Sequence, residues 1–129
     1  MEEKKLYVIG IGPGAREQMT VRADRILRES QVIIGYTVYV DLVKEFYPQA
    51  EFLTTPMRQE KERCEMALKA AQDGRKTAMI CSGDSGVYGM AGLVLELVNK
   101  QQLDIEVRLI PGMTASIAAA SLLGAPLMH

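Results

Sequence analysis

Five short segments of the chain have the apolar character of β-strands, and turn-forming residues bound most of them. Continuous apolar runs indicate strands buried on both faces, whereas the alternation in the last segment indicates a less buried position. The segment beginning at Glu51 gives the weakest signal. The predicted strands are Leu6–Ile9, Val32–Ile34, Glu51–Thr54, Lys76–Cys81 and Ile105–Ile110.

Helical periodicity fills the intervals between these segments. Thr20 could cap the first helix, whose apolar stripe is Met19, Ala23, Ile26, Leu27 and Ser30. Further helices are predicted at Asp41–Tyr47, at Gln59–Gln72, through Leu93, Leu97 and Val98, and at Ala115–Leu123. This alternation predicts an α/β fold, a three-layer αβα domain with a mostly parallel five-stranded sheet.

The third helix gives the clearest helical pattern. Cys64, Ala67, Leu68 and Ala71 form its apolar face, and Arg63 is expected among its solvated charged residues. Asp73-Gly74 ends the helix in the manner of a C-cap glycine. In the fourth helix, Gly89 and Gly92 suggest close approach of another backbone or of a ligand, because glycine weakens a helix.

Three glycine-containing loops follow predicted strands, at Gly10–Gly14, Ser82–Gly86 and Pro111–Thr114. Ligands in open parallel sheets bind beyond the carboxyl ends of the strands, and all three loops would lie at that edge. Glycine lets backbone N–H groups approach a ligand, but ordinary strand-to-helix turns with a capping Ser or Asp also need it. The residues alone leave a ligand site and plain turns equally open.

Composition narrows the classes of function. The net charge of -1 gives no global field for nucleic acid or an anionic membrane, and no export signal or membrane span is evident. Cys64 and Cys81 have neither disulfide nor metal-ligand spacing, so we expect reduced, packed thiols in a cytoplasmic protein. No metal site is predicted.

Three common types of functional site are not supported, because residues that they require are absent from the sequence. A dinucleotide site would require a helix that starts within the first glycine loop and an acidic residue after the second strand, where Gly35-Tyr36 stands instead. A phosphate-binding P-loop lacks its G-K-[ST] sequence. The single histidine, His129, ends the chain and offers no credible catalytic triad.

Three motifs taken together resemble those of the tetrapyrrole methylases, S-adenosylmethionine-dependent enzymes of corrin and sirohaem synthesis. They are V-I-G-I-G-P-G at Val8–Gly14, S-G-D-S-G-V-Y-G-M-A-G at Ser82–Gly92 and I-P-G-M-T-A at Ile110–Ala115, with G-A-P-L-M-H at Gly124–His129. Within that family, G-Y-T-V-Y at Gly35–Tyr39 and the uninterrupted second motif look most like the precorrin-3B C17-methyltransferases of cobalamin synthesis. The resemblance implies methylation of a corrin precursor accompanied by ring contraction.

The resemblance also implies two α/β domains with S-adenosylmethionine between them, of which residues 1–129 resemble the first and stop where the second would begin. By motif position it places methyl-donor contacts at Pro13, Ser82, Gly83, Asp84, Val87, Thr114 and Ala115. We assign substrate contacts to Gly12, Gly14 and Arg16, and Arg22, Arg58 and Arg63 are further candidate partners for substrate carboxylates. The expected partners are a tetrapyrrole and a second copy of the chain.

The catalytic acid or base does not carry over from the family. The first loop has Ala15 where many relatives have Asp, the second has Ser85 where many have Pro, and the Asp that uroporphyrinogen methylases carry after strand two has no match near Tyr36. Tyr36, Tyr39 and Asp84 are therefore catalytic candidates by position only. Two alternatives stay open, namely a ribosomal-RNA or diphthine-type methylase, and an isolated domain that binds ligand or assembles without turnover.

Overall fold

The computed structural model of the chain describes residues 4–11 and 19–111, with only the backbone described at Asp84 and Ser85. Within these ranges, five strands form one sheet. The strands are β1 (Lys5–Ile11), β2 (Val32–Tyr36), β3 (Glu51–Thr55), β4 (Thr77–Ser82) and β5 (Glu106–Ile110). The helices are α1 (Val21–Glu29), α2 (Thr37–Val43), α3 (Glu60–Gln72) and α4 (Gly83–Gln101), and a short 3₁₀ helix spans Lys44–Phe46.

All the strands run parallel, in the order β3-β2-β4-β1-β5. Residue pairs fix the register: Val8 of β1 faces Met79 of β4 and Leu109 of β5, and Ile34 of β2 also faces Met79. The three-layer α/β prediction is confirmed, and the sheet is entirely parallel. Strand β5 lies at an edge and is only partly buried, as its alternating sequence predicted.

Each face of the sheet is covered by its own hydrophobic core. On one face, α3 and α4 pack against strand residues such as Val8 and Met79. On the other face, α1 and α2 pack against Ile9, Ile33 and Ile80. Because successive residues of a strand point to opposite faces, nearly continuous apolar runs supply both cores. Burial on both faces thus explains the sequence of the central strands.

The first helix begins where its sequence predicted. Thr20 is its N-cap, and the Thr20 Oγ1 accepts a hydrogen bond from the backbone N–H of Ala23 at 3.0 Å. Ala23 and Leu27 are fully buried. The predicted end of α3 is confirmed as well, because Gly74 adopts a left-handed conformation with φ +85°.

Two predicted boundaries are wrong. Helix α2 begins at Thr37 rather than Asp41, since Val40 and Val43 turn into the core and outweigh the strand-like character of the G-Y-T-V-Y segment. Ser82–Gly86 is not an extended loop, because α4 begins at Gly83. Four residues on one face of α4 enter the core and offset the low helix propensity of its glycines. They are Val87, Met90, Val94 and Leu97.

Candidate functional site

The carboxyl ends of the strands define one edge of the sheet, and the three predicted loops leave from neighbouring strands there. In the register, Ile11 at the end of β1 faces Ser82 at the end of β4, and Ile9 faces Ile110 of β5. The chain continues from β1 into α1 on one face and from β4 into α4 on the other. Adjacent strands with diverging connections create the crevice in which parallel sheets bind ligands.

The turn from β4 into α4 lies at this crevice. Gly83 has a φ of +58°, a left-handed conformation that side chains rarely adopt, and this lets the helix begin directly after the strand. Ser82 occupies the N-cap position, yet its side chain makes no capping hydrogen bond. A Cβ on Gly86 would lie 3.3 Å from the Ser82 Oγ. Plain capping by Ser82 therefore does not account for this turn.

A cleft of about 410 Å³ opens at the same edge, beside the β4–α4 turn. Its walls come from the ends of β2 and β4, from α2, from the segment after β3, and from the first turns of α3 and α4. The volume falls in the range of roughly 300–1,000 Å³ that is usual for small-molecule sites. Ser82 lines this cleft and also pairs with β1, so the cleft and the crevice adjoin.

Two tyrosines form an aromatic wall of the cleft. Tyr36 ends β2 and Tyr39 follows in the first turn of α2, with ring centroids 5.6 Å apart and ring planes at 76°. This edge-to-face packing holds both rings in place. The structure therefore brings two of the three catalytic candidates together.

Arg63 also lines the cleft, and the prediction that it is solvated is wrong. It is 8% exposed, because it lies on the α3 face that carries Ala67 and Ala70 at helical spacing. Its Nε donates a hydrogen bond to the Thr55 Oγ1 at 2.7 Å, and its Nη2 donates one to the Pro56 carbonyl oxygen at 3.4 Å. The i, i+4, i+7 spacing of Arg63 with those alanines was the available sequence signal.

The two cysteine thiols lie behind the cleft in the core shared by α3 and β4. Both are free and buried. Burial raises the pKa of Cys64 to about 12, although the nearby Arg63 guanidinium opposes this shift. Burial likewise raises the pKa of Cys81 to about 12. Both thiols are therefore protonated and unreactive near neutral pH, which agrees with a packing role.

The other predicted site residues divide into two groups. Val87 is fully buried in the core, so its placement gives no support to a methyl-donor contact through its side chain. An added Cβ on Gly89 or Gly92 would meet nothing within 4 Å, so no described backbone approaches them closely, although Gly89 lines the cleft. Asp84 is described only as backbone. The other predictions lie outside the described residues, and they are Gly12, Pro13, Gly14, Arg16, Thr114, Ala115 and the helix at Ala115–Leu123.

A second cavity, of about 390 Å³, lies at the opposite, amino-terminal edge of the sheet. Lys4, Lys5, Arg75 and Lys76 surround it, together with Glu29. Parallel sheets place ligands at the other edge, so we assign the candidate site to the cleft beside Ser82.

A comparison with known families identifies the family of the chain. Residues 5–129 match the family model for the tetrapyrrole (corrin/porphyrin) methylases. The chain belongs to the tetrapyrrole methylases. Members of this family are, in general, S-adenosylmethionine-dependent methyltransferases. The sequence resemblance to this family is thereby confirmed.

Curated tetrapyrrole methylases resemble the chain over almost its whole length. It is 60% identical over 124 residues to a probable cobalt-factor III C(17)-methyltransferase of Salmonella typhimurium, covering 96% of this chain and 52% of that protein. It is 36% identical over 127 residues to a precorrin-3B C(17)-methyltransferase of a Sinorhizobium species, covering 96% and 50%. The chain thus spans about half the length of these relatives.

A solved tetrapyrrole methylase has the same fold. The crystal structure of the methyltransferase CobJ superposes with a TM-score of 0.74 at 34% identity, covering 98% of this chain and 54% of that one. Within the described ranges of this methylase domain, no helix has the length and apolar character needed to cross a membrane. The same ranges contain no cluster of three or more His, Cys, Asp or Glu residues that could hold a metal ion.

Proposed function

We propose that residues 1–129 form the first domain of an S-adenosylmethionine-dependent enzyme that methylates C(17) of a corrin precursor, with ring contraction, in cobalamin biosynthesis. The observation that carries this proposal is the 60% identity to the Salmonella typhimurium relative named for that reaction. Because the chain spans about half of that relative, the activity is proposed for the whole protein, with a second α/β domain completing the cleft. The protein works in the cytoplasm.

The β4–α4 turn fits S-adenosylmethionine. The first backbone N–H groups of a helix lack intrahelical partners and carry a partial positive charge, which suits the carboxylate of the methyl donor. Gly83 keeps the turn open, and Ser82 has a hydroxyl that caps nothing. Asp84, in the first turn of the helix, is the predicted partner of the donor's polar groups. When bound, S-adenosylmethionine supplies an electrophilic methyl group.

The chain's own contribution to the reaction is to hold the substrate in line with that methyl group. Positioning alone supplies large rate factors, which suits a site with few reactive side chains. Tyr36 and Tyr39 present phenol groups on the cleft wall, where they would donate hydrogen bonds to oxygen substituents of the ring. Their roles in proton transfer remain predictions.

The substrate we favour carries cobalt. The relative at 60% identity is named for cobalt-factor III, whereas the relative named for precorrin-3B is 36% identical. Cobalt here belongs to the substrate and needs no ligands from the protein. Parallel assays of the whole protein with cobalt-factor III and with precorrin-3B separate the two substrates.

The two other functions considered from the sequence have weaker support. Diphthine synthase shares the fold at a TM-score of 0.64, but at 17% identity this likeness speaks for the fold alone. A domain without turnover would bind S-adenosylmethionine but release no methylated product. Sedimentation of the protein checks the expected homodimer.

Binding of S-adenosylmethionine, measured by calorimetry on the full-length protein, tests the proposal. We expect Asp84→Ala to weaken binding about tenfold or more, in the range of a lost hydrogen bond to a charged group. Gly83→Ala should weaken binding by about tenfold as well, because a side chain at a φ of +58° strains the turn that forms the site. Mass spectrometry of the tetrapyrrole product then detects the added methyl group.

Gly74→Ala is a matched control for Gly83→Ala. Both glycines have a positive φ and open space around an added Cβ, so the two substitutions strain the backbone similarly, but Gly74 lies at the far end of α3. Gly74→Ala should leave the affinity unchanged. Unaltered affinity in both the Gly83 and Asp84 variants would contradict the assigned donor site.

A further inference from the structure

Arg63 is a buried cation whose set of partners is incomplete among the described residues. A guanidinium keeps its charge at every accessible pH and has five N–H donors in a planar fork. The described residues accept hydrogen bonds from its Nε and Nη2, through the hydroxyl of Thr55 and the carbonyl of Pro56. Both acceptors are neutral. Within the described residues, several N–H donors of Arg63 therefore have no hydrogen-bond acceptor, at a position that is 8% exposed.

The ion pairs among the described residues do not involve Arg63. They join Arg28 to Asp24, Lys44 to Asp41, Arg75 to Glu51 and Arg108 to Glu106. Glu60 lines the same cleft one turn earlier in α3 but is exposed and forms no ion pair with Arg63. Since burying an uncompensated charge is costly, a buried guanidinium that has only neutral acceptors among the described residues points to an anionic ligand.

The position of Arg63 indicates where that anion enters. Among the described side chains, the charged residues that line the cleft are Arg58, Glu60 and Arg63, with a net positive charge. Thr55, itself 3% exposed, fixes the Nε side of the guanidinium, and Pro56 takes one N–H of Nη2, which leaves Nη1 and the second N–H of Nη2 for an incoming ligand. A planar fork held at one side suits bidentate binding of a carboxylate.

We propose that Arg63 recognises a carboxylate on the periphery of the tetrapyrrole substrate and thereby sets how the ring is seated in the cleft. The inference rests on the proposed function, because that function makes the ligand of this cleft a polycarboxylate ring. Arg58 lies at the same cleft but is exposed, so its charge is solvated and contributes less. Arg63 is thus the specificity-determining cation of this wall.

Titration of the full-length protein with uroporphyrin III, a stable polycarboxylate tetrapyrrole, tests the inference by porphyrin fluorescence. Arg63→Gln removes the charge, and we expect uroporphyrin binding to weaken by about 10- to 100-fold, as for a hydrogen bond to a charged group. Arg63→Lys keeps a charge without the fork and should fall between Arg63→Gln and the unaltered protein. The salt dependence of binding should become shallower in Arg63→Gln.

Arg25→Gln is the matched control, because Arg25 is an exposed arginine of α1, which packs on the other face of the sheet. It should bind uroporphyrin as the unaltered protein does. Equal uroporphyrin affinity in Arg63→Gln and the unaltered protein would overturn the inference, as would absence of binding to the unaltered protein. If Arg63→Gln does not fold, the uroporphyrin affinity of Arg63→Lys is compared with that of the unaltered protein instead, and equal affinities would again overturn the inference.

S-adenosylmethionine affinity, measured on the same proteins, separates this inference from the proposed function. We expect every Arg63 and Arg25 variant to bind the methyl donor within about twofold of the unaltered protein, since Arg63 is placed at the ring substrate. Normal donor binding with unchanged uroporphyrin affinity would remove the role of Arg63 and leave the proposed function intact. Failure of the unaltered protein to bind the donor would instead count against the proposed function.

Discussion

Gly35 of β2 lies so close to Ile80 of β4 that a Cβ on Gly35 would come within 2.6 Å of the Ile80 Cγ1. The Ile80 Cδ1 would also be crowded, at 3.2 Å, and the isoleucine is 1% exposed, so its side chain has little room to move away. Both residues are buried, and Ile80 also lines the candidate cleft. The close approach explains why glycine interrupts an otherwise β-branched strand.

Replacing Gly35 by Ala should therefore destabilise the protein. We expect the free energy of unfolding to fall by about 1–3 kcal/mol, the usual cost of overpacking a core, as measured by urea unfolding. Gly92→Ala is the control, because an added Cβ there meets nothing within 4 Å. That change, inside a helix, should stabilise the protein by up to about 1 kcal/mol. A Gly35→Ala protein as stable as the unaltered one would contradict the packing described.

The phenol of Tyr47 ties the end of the α2 region to α1. Its ring is fully buried, and its hydroxyl donates a hydrogen bond to the Asp24 Oδ1 at 2.7 Å. Tyr47→Phe keeps the ring and removes this bond to a charged acceptor, so we expect a loss of about 1–2 kcal/mol in the free energy of unfolding. Tyr88→Phe, at an exposed tyrosine of α4, should change stability by less than about 0.5 kcal/mol. Equal stabilities of the two variants would contradict the prediction.

The N-cap of α1 offers a further stability test. Thr20→Ala removes the acceptor for the Ala23 N–H, and we expect a loss of about 1 kcal/mol, measured by thermal unfolding. Thr20→Ser keeps the hydroxyl and should retain most of the stability. A loss of the same size in both variants would show that the methyl group, and not the hydrogen bond, is responsible.

The raised pKa values of Cys64 and Cys81 predict how the protein responds to alkaline pH. Both thiols stay protonated in the folded state up to about pH 12, whereas in the unfolded chain they ionise near their ordinary value of about 8.5. The folded state therefore binds more protons between these values, and stability decreases as the pH rises through that window. Below it, the contribution is fully present.

Iodoacetamide labelling checks this prediction, because only the thiolate reacts. At pH 8 the folded protein should be labelled far more slowly than the urea-unfolded chain, with faster labelling towards pH 12. A Cys64→Ala, Cys81→Ala double variant should lose less stability than the unaltered protein over the same alkaline range. Rapid labelling of both thiols in the folded protein at pH 8 would refute the assigned pKa values.

The sequence predicted the sheet well because periodic burial determines it. The apolar run Thr77–Cys81 predicted a strand covered on both faces, and the structure places β4 in the middle of the sheet. A helix start was also predicted correctly where it depends on a single hydrogen bond between a side chain and a nearby backbone group, as at Thr20. The family followed from three loop motifs in order, two of which extend outside the described residues.

The features that the sequence did not predict depend on tertiary contacts. The start of α4 at Gly83 depends on core packing by residues from Val87 to Leu97, one to four turns further along, which overrides the turn-like composition of the segment. The hydrogen bond that holds Arg63 is accepted by Thr55, eight residues away on a different element, and a charged residue in a helical pattern ordinarily indicates solvent. The aromatic wall depended on the early start of α2, which puts Tyr39 one turn after Tyr36.

Thr55 has a consequence for the energetics of ligand binding. Its hydroxyl accepts the Arg63 hydrogen bond and its carbonyl oxygen accepts one from the Thr37 Oγ1 at 3.4 Å, so the end of one edge strand links helices on opposite faces of the sheet. Helix α2, which carries Tyr39, and helix α3, which carries Arg63, are thereby both hydrogen-bonded to Thr55. A ligand entering between them meets a preorganised surface, and its affinity is not reduced by a loss of backbone entropy on that side.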